Sequence, residues 1–374
     1  MSHDEDERRV SSNRSGRPTV ILSHSVATFW KILATGLLVL ASVALVLGAA
    51  EIAARVLYSE PETPPAKALD PALEGLPRLD TVMDLGGRNV RGVHGSALFR
   101  TNSAGFRGPE YSLDPAPGTF RIVLIGDSFA MGWMTDEDAT YAMRVERMLN
   151  EASTRTHFEV LNLGLGGLNT RLAVNRLHRI GVPYQPDLIV YGFTVNDIES
   201  PKEFGMRGGR ESDPLRAEWL RFADSSSRLL QIMWPRWVSV RYNILHQPGS
   251  YGDRLHRWYF EEPGKWQRVT TGLDRLAAIG EDRRICIEVL IHTKMVQFGF
   301  FHPFVPIYDR VEKAAAARGL FATQSYPAFR WQSSKKLRIS SLDDHPNEEG
   351  HRILAEVLFE GLKQLPESCG LQLD

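Results

Sequence analysis

Four short polar segments of the chain carry the residue types that acyl transfer through a serine requires. They are GDS at 126–128, NLGLGG at 162–167, TVND at 194–197 and DDHPN at 343–347. Together they supply a hydroxyl nucleophile, an unshielded glycine, an amide side chain and an acid–imidazole pair. The pattern therefore predicts a reactive serine together with its base and its acid.

Ser128 is the expected nucleophile, and its hydroxyl needs a base to remove the proton. His345 lies in a loop with an acid two residues before it, so we expect it to be that base. Asp343 would hold the imidazole tautomer and stabilise the imidazolium. The adjacent Asp344 would point to the opposite side of an extended loop, toward solvent or the N-terminus of the last helix.

The oxyanion that forms during acyl transfer needs fixed hydrogen-bond donors. We expect the backbone N–H groups of Ser128 and Gly167 and the side-chain amide of Asn196 to supply them. Further residues, some of them in a tryptophan-rich stretch, are candidates for substrate contact: Asp127, Thr194, His292, Trp234 and Trp237. His292 fits a satisfied structural histidine equally well.

Regular elements must bring these segments together. Four apolar runs have the length and the β-branched residues of parallel strands buried on both faces. They lie at 120–125, 158–163, 187–193 and 285–291. Helical spacing between and after them, with possible N-caps at Asp138 or Thr140, at Thr170 and at Asn347, predicts helices. This alternation predicts a three-layer α/β/α sandwich, in which ligands bind beyond the carboxyl ends of the strands.

The four segments resemble the motif blocks of the GDSL/SGNH hydrolase family, and the resemblance covers about residues 119–365. It implies a flavodoxin-like fold and an esterase with a Ser-His-Asp triad and an acyl-enzyme, without a metal or an organic cofactor. The expected substrate is an ester on a cell-envelope glycan or lipid. The sequence departs from the family pattern at Thr194, where many members have a glycine, and at Leu342, where many have the acid.

The same residues allow other interpretations. An O-acyltransferase that modifies an exported polysaccharide would use the same triad, and a non-catalytic glycan-assembly or glycan-binding protein would keep the fold. A metal site is a further alternative, with possible ligands at Asp343, Asp344, His345 and His351. A dinucleotide-binding loop would need a glycine at Asn169, and an α/β-hydrolase elbow would need one at Ala130, so we set both aside.

Composition excludes several other classes. The formal net charge of −1 predicts no nucleic-acid partner, since such proteins carry a basic domain or stripe. The two cysteines, Cys286 and Cys369, are too few for a disulfide scaffold or for a cysteine-built zinc or iron–sulfur site. Composition leaves the oligomeric state open.

An uncharged apolar stretch, residues 32–50, runs from Ile32 to Ala50 and nearly spans a ~30 Å hydrocarbon core. Basic residues are more frequent before this stretch than after it. We therefore expect one helix in a bacterial inner membrane, with the N-terminus inside and the body in the periplasm. A cleaved signal peptide, which the small residues at 48–50 would suit, is the alternative and also exports the body.

The apolar stretch and the four motif segments divide the chain into the expected domains. They are a cytoplasmic tail (1–28), a transmembrane helix (29–50), a spacer with an N-terminal extension (51–118) and a hydrolase domain (119–374). Residues 198–282 break the strand–helix alternation, and we expect an insertion there. It holds five of the eight tryptophans, namely Trp219, Trp234, Trp237, Trp258 and Trp266. Their rings would either border the pocket or fill the core of the insertion.

Overall fold

The computed structural model describes residues 21–57, 69–200, 202–203, 226–241, 245, 251–296, 298–299, 302–340 and 343–374. The chain divides into two compact units. The first comprises residues 1–59 and 225–232, and the second comprises residues 60–224 and 233–374. Residues 58–68 of the predicted spacer and Trp219 lie outside the described residues.

The first unit contains helix α1 (Ile21–Leu57). Within its segment Thr28–Leu57, an 18-residue window has a mean hydropathy of 2.5 and is not buried, so the helix is long and apolar enough to cross a membrane. An N-terminal signal sequence would have the same properties. The Glu51 carboxylate accepts hydrogen bonds from the Ser227 hydroxyl and from the backbone N–H groups of Arg228 and Leu229. Within the first unit, the Glu51 carboxylate therefore satisfies free N–H groups at the start of a helix.

The second unit is built on a sheet of five parallel strands, preceded by the antiparallel hairpin β1 (Arg91–His94) and β2 (Ala97–Arg100). The five strands are β3 (Thr119–Gly126), β4 (His157–Asn162), β5 (Leu188–Phe193), β6 (Cys286–Ile291) and β7 (Phe321–Gln324). Their spatial order is β4-β3-β5-β6-β7, which is the flavodoxin-like order of a doubly wound sheet. The four apolar runs of the sequence are strands, whereas the half-buried edge strand β7 was not predicted.

Helices cover both faces of this sheet. The described helices after α1 are α2 (Val82–Leu85), α3 (Ser128–Met131), α4 (Tyr141–Glu151), α5 (Thr170–Arg176), α6 (Arg228–Ser239), α7 (Tyr251–Phe260), α8 (Pro263–Arg283), α9 (Val305–Ala316), α10 (Tyr326–Phe329), α11 (Ser334–Leu337) and α12 (Glu348–Lys363). One buried apolar cluster joins the sheet to α5, α7, α8 and α9, and another joins it to α4 and α12. The predicted three-layer α/β/α sandwich is confirmed.

A second antiparallel hairpin leads into the last helix. It consists of β8 (Arg338–Ser340) and β9 (Asp343–Pro346). The Asn347 side chain then accepts hydrogen bonds from two N–H groups of α12, as predicted, and Thr140 caps α4 in the same way. At α5 the prediction of Thr170 is wrong, because the preceding Asn169 accepts the bond from Leu172.

Part of the predicted insertion belongs to the sandwich itself. Leu255 and Tyr259 of α7, with Leu273 and Leu276 of α8, are fully buried in the cluster against the sheet. Trp258 is buried in the same cluster and Trp266 packs against it. The sequence did not show this because α7 and α8 lie far from β5 along the chain, so no strand–helix alternation links them to the sheet.

A disulfide joins Cys286, the first residue of β6, to Cys369 after α12, with a Cα–Cα distance of 5.4 Å. The two cysteines are 83 residues apart. The sequence argument excluded a scaffold of several disulfides and did not predict this single bond, because only the tertiary fold brings the two residues within bonding distance.

Candidate active site

The turn after β3 places Ser128. Gly126 has a φ of 155°, and a Cβ there would lie 2.6 Å from the carbonyl oxygen of Gly192 on β5. Only glycine allows the backbone at 126 to approach β5 this closely without strain. The Asp127 side chain then caps α3 by accepting a hydrogen bond from the Phe129 N–H. Ser128 is therefore the first residue of a helix at the carboxyl end of a central strand.

Three side chains predicted from two distant segments lie in one hydrogen-bonded chain. The Ser128 Oγ is 2.7 Å from His345 Nε2, and His345 Nδ1 is 2.5 Å from Asp343 Oδ1. The backbone N–H of His345 donates to the same Asp343 oxygen over 3.0 Å. With the Nδ1 proton directed at Asp343, the Nε2 atom is free to accept the proton of the serine hydroxyl.

Asp343 is held as a carboxylate. Burial by itself would raise its pKa, but the hydrogen bond and the charge of His345 outweigh burial and lower the pKa to about 2. Its side chain keeps 24% of its surface exposed, and that of His345 keeps 20%. The acid and the base are therefore accessible from one side while they remain fixed to each other.

Trp133 is a functional candidate that the sequence argument missed. Its Nε1–H donates to Asp343 Oδ2 over 3.2 Å, and its ring stacks on His345 with a centroid distance of 5.3 Å. The Phe129 ring lies 5.2 Å from the imidazole in a tilted arrangement. Both aromatic residues follow Ser128 by at most five positions, but no periodicity marks either of them as a contact of the histidine.

Arg107 holds the turn that carries Trp133. Its guanidinium is fully buried and donates to the carbonyl oxygens of Met131, Gly132 and Thr135, each over 2.9 Å. Backbone carbonyl groups in a turn lack the partners that a helix or strand would give them, and one buried guanidinium can donate to several of them at once. This residue belongs to the segment before β3, so the N-terminal extension contributes to the shape of the site.

Asp344 has a partner that the sequence argument did not predict. It forms an ion pair with Lys294 over 3.0 Å, and its side chain keeps 32% of its surface exposed. Burial by itself would raise the pKa of Asp344, yet the charge of Lys294 lowers it below its ordinary value. Lys294 follows β6, so this partner comes from a segment that the sequence argument did not place beside the hairpin.

The amide of Asn196 is fixed by Asp127. Asp127 Oδ2 accepts from Asn196 Nδ2 over 3.0 Å, and Oδ1 accepts from the Thr194 hydroxyl over 3.1 Å. A primary amide has two N–H bonds, so Asn196 keeps a second donor for a ligand. The carboxylate therefore anchors the residue that we expect to bind the oxyanion.

Gly167 adopts a left-handed conformation with a φ of 75°. Within the part of the chain that the structure describes, the N–H groups of Gly167 and Ser128 have no hydrogen-bond partner. The same loop approaches α3 closely, since a Cβ on Gly164 would lie 2.4 Å from the Met131 nitrogen. Two backbone donors thus remain available, one on Ser128 itself and one in the loop after β4.

Three of the candidates for substrate contact lie behind the site instead of lining it. Asp127, Thr194 and His292 are at most 1% exposed. His292 Nδ1 is 3.3 Å from the Thr194 hydroxyl oxygen, and Nε2 is 3.2 Å from the hydroxyl oxygen of Tyr141. Burial lowers the pKa of His292 to about 4, so this imidazole is neutral at pH 7. These buried residues are therefore placed to support the Asn196 loop.

The structure does not bring the remaining candidates to the triad. Trp237 is half exposed on α6, and Trp234 lies three residues earlier on the same helix. Among the described residues, the rings that contact His345 belong to Phe129 and Trp133. The tryptophan beside the imidazole thus comes from the turn after α3 and not from the predicted insertion.

A divalent cation could in principle find ligands in the same loop. One ligand atom from each of Asp343, Asp344 and His345 lies within 4.8 Å of the others. These atoms are already used, because Asp343 binds His345 and Asp344 binds Lys294. His351, the fourth residue considered, is fully buried, and its Nδ1 accepts from the Tyr141 N–H. The donor set therefore serves a proton relay better than a metal.

Comparison with known proteins gives similarity at the level of the fold. No family model matches the chain, and no curated protein does either. Similar solved structures include Axe2, an acetylxylan esterase from Geobacillus stearothermophilus (14% identity, 65% of this chain and 94% of that chain covered, TM-score 0.41). Another is LAE5, an α/β hydrolase enzyme from the metagenome of Lake Arreo (15% identity, 66% and 96% covered, TM-score 0.41).

A third similar structure is described as a lipolytic protein of the G-D-S-L family, from Desulfitobacterium hafniense. It is 11% identical, with 64% of this chain and 98% of that chain covered and a TM-score of 0.38. The family whose motifs the sequence resembles is thus represented among the similar structures.

Proposed function

We propose that this protein is a serine ester hydrolase of the SGNH type that works through an acyl-enzyme. The observation that carries the proposal is the hydrogen-bonded chain from Ser128 through His345 to Asp343. A hydroxyl, an imidazole and an ionised carboxylate in this order form the activated nucleophile of acyl transfer. The backbone N–H groups of Ser128 and Gly167, unpaired within the described residues, support the proposal as donors to the oxyanion.

In the first half of the reaction, Ser128 Oγ attacks the ester carbonyl carbon while His345 Nε2 takes the hydroxyl proton. The oxyanion accepts hydrogen bonds from the N–H groups of Ser128 and Gly167 and from the Asn196 amide. The carbon–oxygen bond to the alcohol then breaks, and His345 gives its proton to the leaving oxygen. Asp343 stabilises the imidazolium between these steps.

In the second half, water attacks the acyl carbon of the ester on Ser128 and gives a proton to His345. The bond to Ser128 Oγ breaks, the serine recovers its proton, and the carboxylic acid leaves. A glycan hydroxyl in place of water would make the same protein an O-acyltransferase. The two activities therefore differ only in the acceptor of the second half.

Labelling with a fluorophosphonate tests the proposal on the full chain in detergent. The wild-type protein should be labelled, whereas Ser128→Ala should not. Ser112→Ala, which removes an exposed hydroxyl elsewhere, is the matched control and should be labelled like the wild type. Equal labelling of the wild type and Ser128→Ala would contradict the mechanism. Release of acyl groups only when a sugar acceptor is added would identify a transferase.

We propose that the catalytic unit lies outside the cytoplasm, next to a cell-envelope ester on a glycan or lipid. The apolar segment Thr28–Leu57 and the basic residues before it support this location. The disulfide between Cys286 and Cys369 supports it independently, since such bonds persist in oxidising compartments. A reporter fused after Asp374 that functions only outside the cytoplasm should be active. Activity of a cytoplasm-only reporter there would contradict the topology.

A further inference from the structure

A cavity of about 370 Å³ opens beside the oxyanion loops, between the start of α5, the turn after β5 and the first half of α8. Its lining includes Asn169, Arg171, Asp197, Arg268 and Arg275. The volume is at the lower end of the range for small-molecule sites. Three guanidinium groups in one cavity of this size set it apart from the surrounding surface.

Two of these guanidinium groups are available to a ligand. Arg171 and Arg275 are exposed, and neither makes a hydrogen bond or an ion pair within the described residues. Arg268 already pairs with Glu203 over 2.8 Å, and Glu203 also pairs with Lys265. The cavity therefore holds uncompensated positive charge beside one neutralised pair.

Asp197 does not cancel this charge. Its side chain is 2% exposed, and the Tyr191 hydroxyl donates to Oδ2 over 2.6 Å, while Oδ1 has no partner among the described residues. Burial, with the nearby charge of Asp127, raises the pKa of Asp197 well above its ordinary value. Because its side chain is 2% exposed, Asp197 presents almost none of its carboxyl group to a ligand in the cavity.

Two residues of the cavity wall lie close along the chain to the residues proposed as oxyanion donors. Asn169 follows Gly167 by two residues, and Asp197 directly follows Asn196. Two residues span at most ~7 Å, so the Cα atoms of Asn169 and Gly167 lie within that distance of each other. Hydrogen bonds from Asn169 to the Glu199 carbonyl and from Thr170 to the Asp197 carbonyl tie the two loops together. The cavity therefore borders the loops that carry two of the proposed oxyanion donors.

We propose that this cavity binds an anionic group, a carboxylate or a phosphate, on the sugar or headgroup next to the ester that Ser128 attacks. The inference rests on the proposed hydrolase function and adds a substrate class to it. A guanidinium is planar and binds both oxygens of a carboxylate or phosphate at once. Arg171 and Arg275 supply that recognition from two sides of the cavity, on α5 and on α8.

The test compares kcat/KM for three acetylated substrates: an oligouronate, a phosphorylated oligosaccharide and a neutral xylo-oligosaccharide. The wild-type protein should prefer at least one of the anionic substrates to the neutral one, and the preferred one identifies the group. In Arg171→Gln/Arg275→Gln this preference should fall tenfold or more, mainly through KM. Arg179→Gln/Arg283→Gln removes two exposed arginines outside the cavity and should keep the wild-type preference.

A second variant fills the cavity without changing its charge. Gly264 lies in the cavity wall near the start of α8, and a Cβ there would meet nothing within 4 Å. Leucine also has a better helix propensity than glycine, so Gly264→Leu should fold. It should reduce the preference for the anionic substrate although both arginines remain. Unchanged preference in both variants would overturn the proposal.

Calorimetric titration of Ser128→Ala with the same oligosaccharides separates this proposal from the proposed function. If the wild type hydrolyses a small activated ester but anionic and neutral oligosaccharides bind equally, the cavity proposal fails and the hydrolase proposal stands. If no ester is hydrolysed, but anionic oligosaccharide binds and the Arg171→Gln/Arg275→Gln change abolishes the binding, the hydrolase proposal fails and anion recognition stands.

Discussion

The two halves of the candidate site are built differently. The half that carries Asn196 is a buried network in which Asp127, Thr194 and His292 bind one another and are at most 1% exposed. The half that carries His345 lies on a small hairpin outside the main sheet, and its acid and base keep 24% and 20% of their side-chain surface. One half is fixed by burial, and the other by a few directed contacts.

The difference shows how each half obtains its rigidity. The buried half lies at the carboxyl ends of adjacent parallel strands, where the sheet itself sets the positions. The hairpin half needs Trp133 on one carboxylate oxygen and Lys294 on the next residue, because β8 and β9 pair only with each other among the described strands. We therefore expect substitutions in the hairpin half to change the rate before they change stability.

The largest effect should come from the orienting acid. Asp343→Asn removes the charge that holds the imidazole, so kcat on a small activated ester should fall by up to ~10⁴-fold with little change in KM. Asp344→Asn is the matched control at the next position, and its kcat should stay near the wild-type value because its partner is Lys294. A larger loss of kcat in Asp344→Asn would reverse the assignment.

The next effect should come from the buried half. Asn196→Ala removes a proposed oxyanion donor and should lower kcat by about 10²- to 10³-fold. Thr194→Val removes only one of the bonds to Asp127, so we expect a loss of less than tenfold together with reduced stability. Steady-state kinetics and urea unfolding of both variants would check this order. Equal rate losses would mean that Asn196 acts as a support and not as a donor.

Trp133→Phe should have a smaller effect on the rate. This variant retains an aromatic ring against His345 but loses the N–H that donates to Asp343. Because a hydrogen bond to a charged group is lost, we expect kcat to fall by about tenfold. The acidic limb of the pH–kcat profile should also move, since Asp343 loses a donor. Trp237→Phe on α6 is the control. A wild-type profile in Trp133→Phe would remove it from the positioning of the triad.

The smallest effect concerns stability at low pH. The pKa of Asp343 is about 2 in the folded protein, below its ordinary value of 3.8. Its ionisation therefore stabilises the fold above about pH 4, and this contribution is lost as the pH falls toward 2. Between pH 6 and pH 3 the wild type should lose about 1 kcal/mol more free energy of unfolding than Asp343→Asn. Asp282→Asn, at an exposed position, should follow the wild-type curve.

The sequence by itself determined four of the five strands of the main sheet and the residues with reactive groups. Four continuous apolar runs can be satisfied only by strands buried on both faces, and the polar segments that follow them must then meet at one edge. Ser128, Asn196 and His345 were therefore predictable from their positions after or beside these elements. The helix caps at Thr140 and Asn347 were predictable for the same local reason, since a side-chain oxygen there satisfies free N–H groups.

Only the tertiary structure decided the contacts between distant segments. The bond from Trp133 to Asp343 joins residues 210 positions apart, and the disulfide from Cys286 to Cys369 joins residues 83 apart. The pairing of Asp344 with Lys294 and the cavity at Arg171 and Arg275 depend in the same way on how α8 and the chain after β6 pack. Local patterns constrain the faces of an element, but the partner that covers each face is set by the packing of the whole fold.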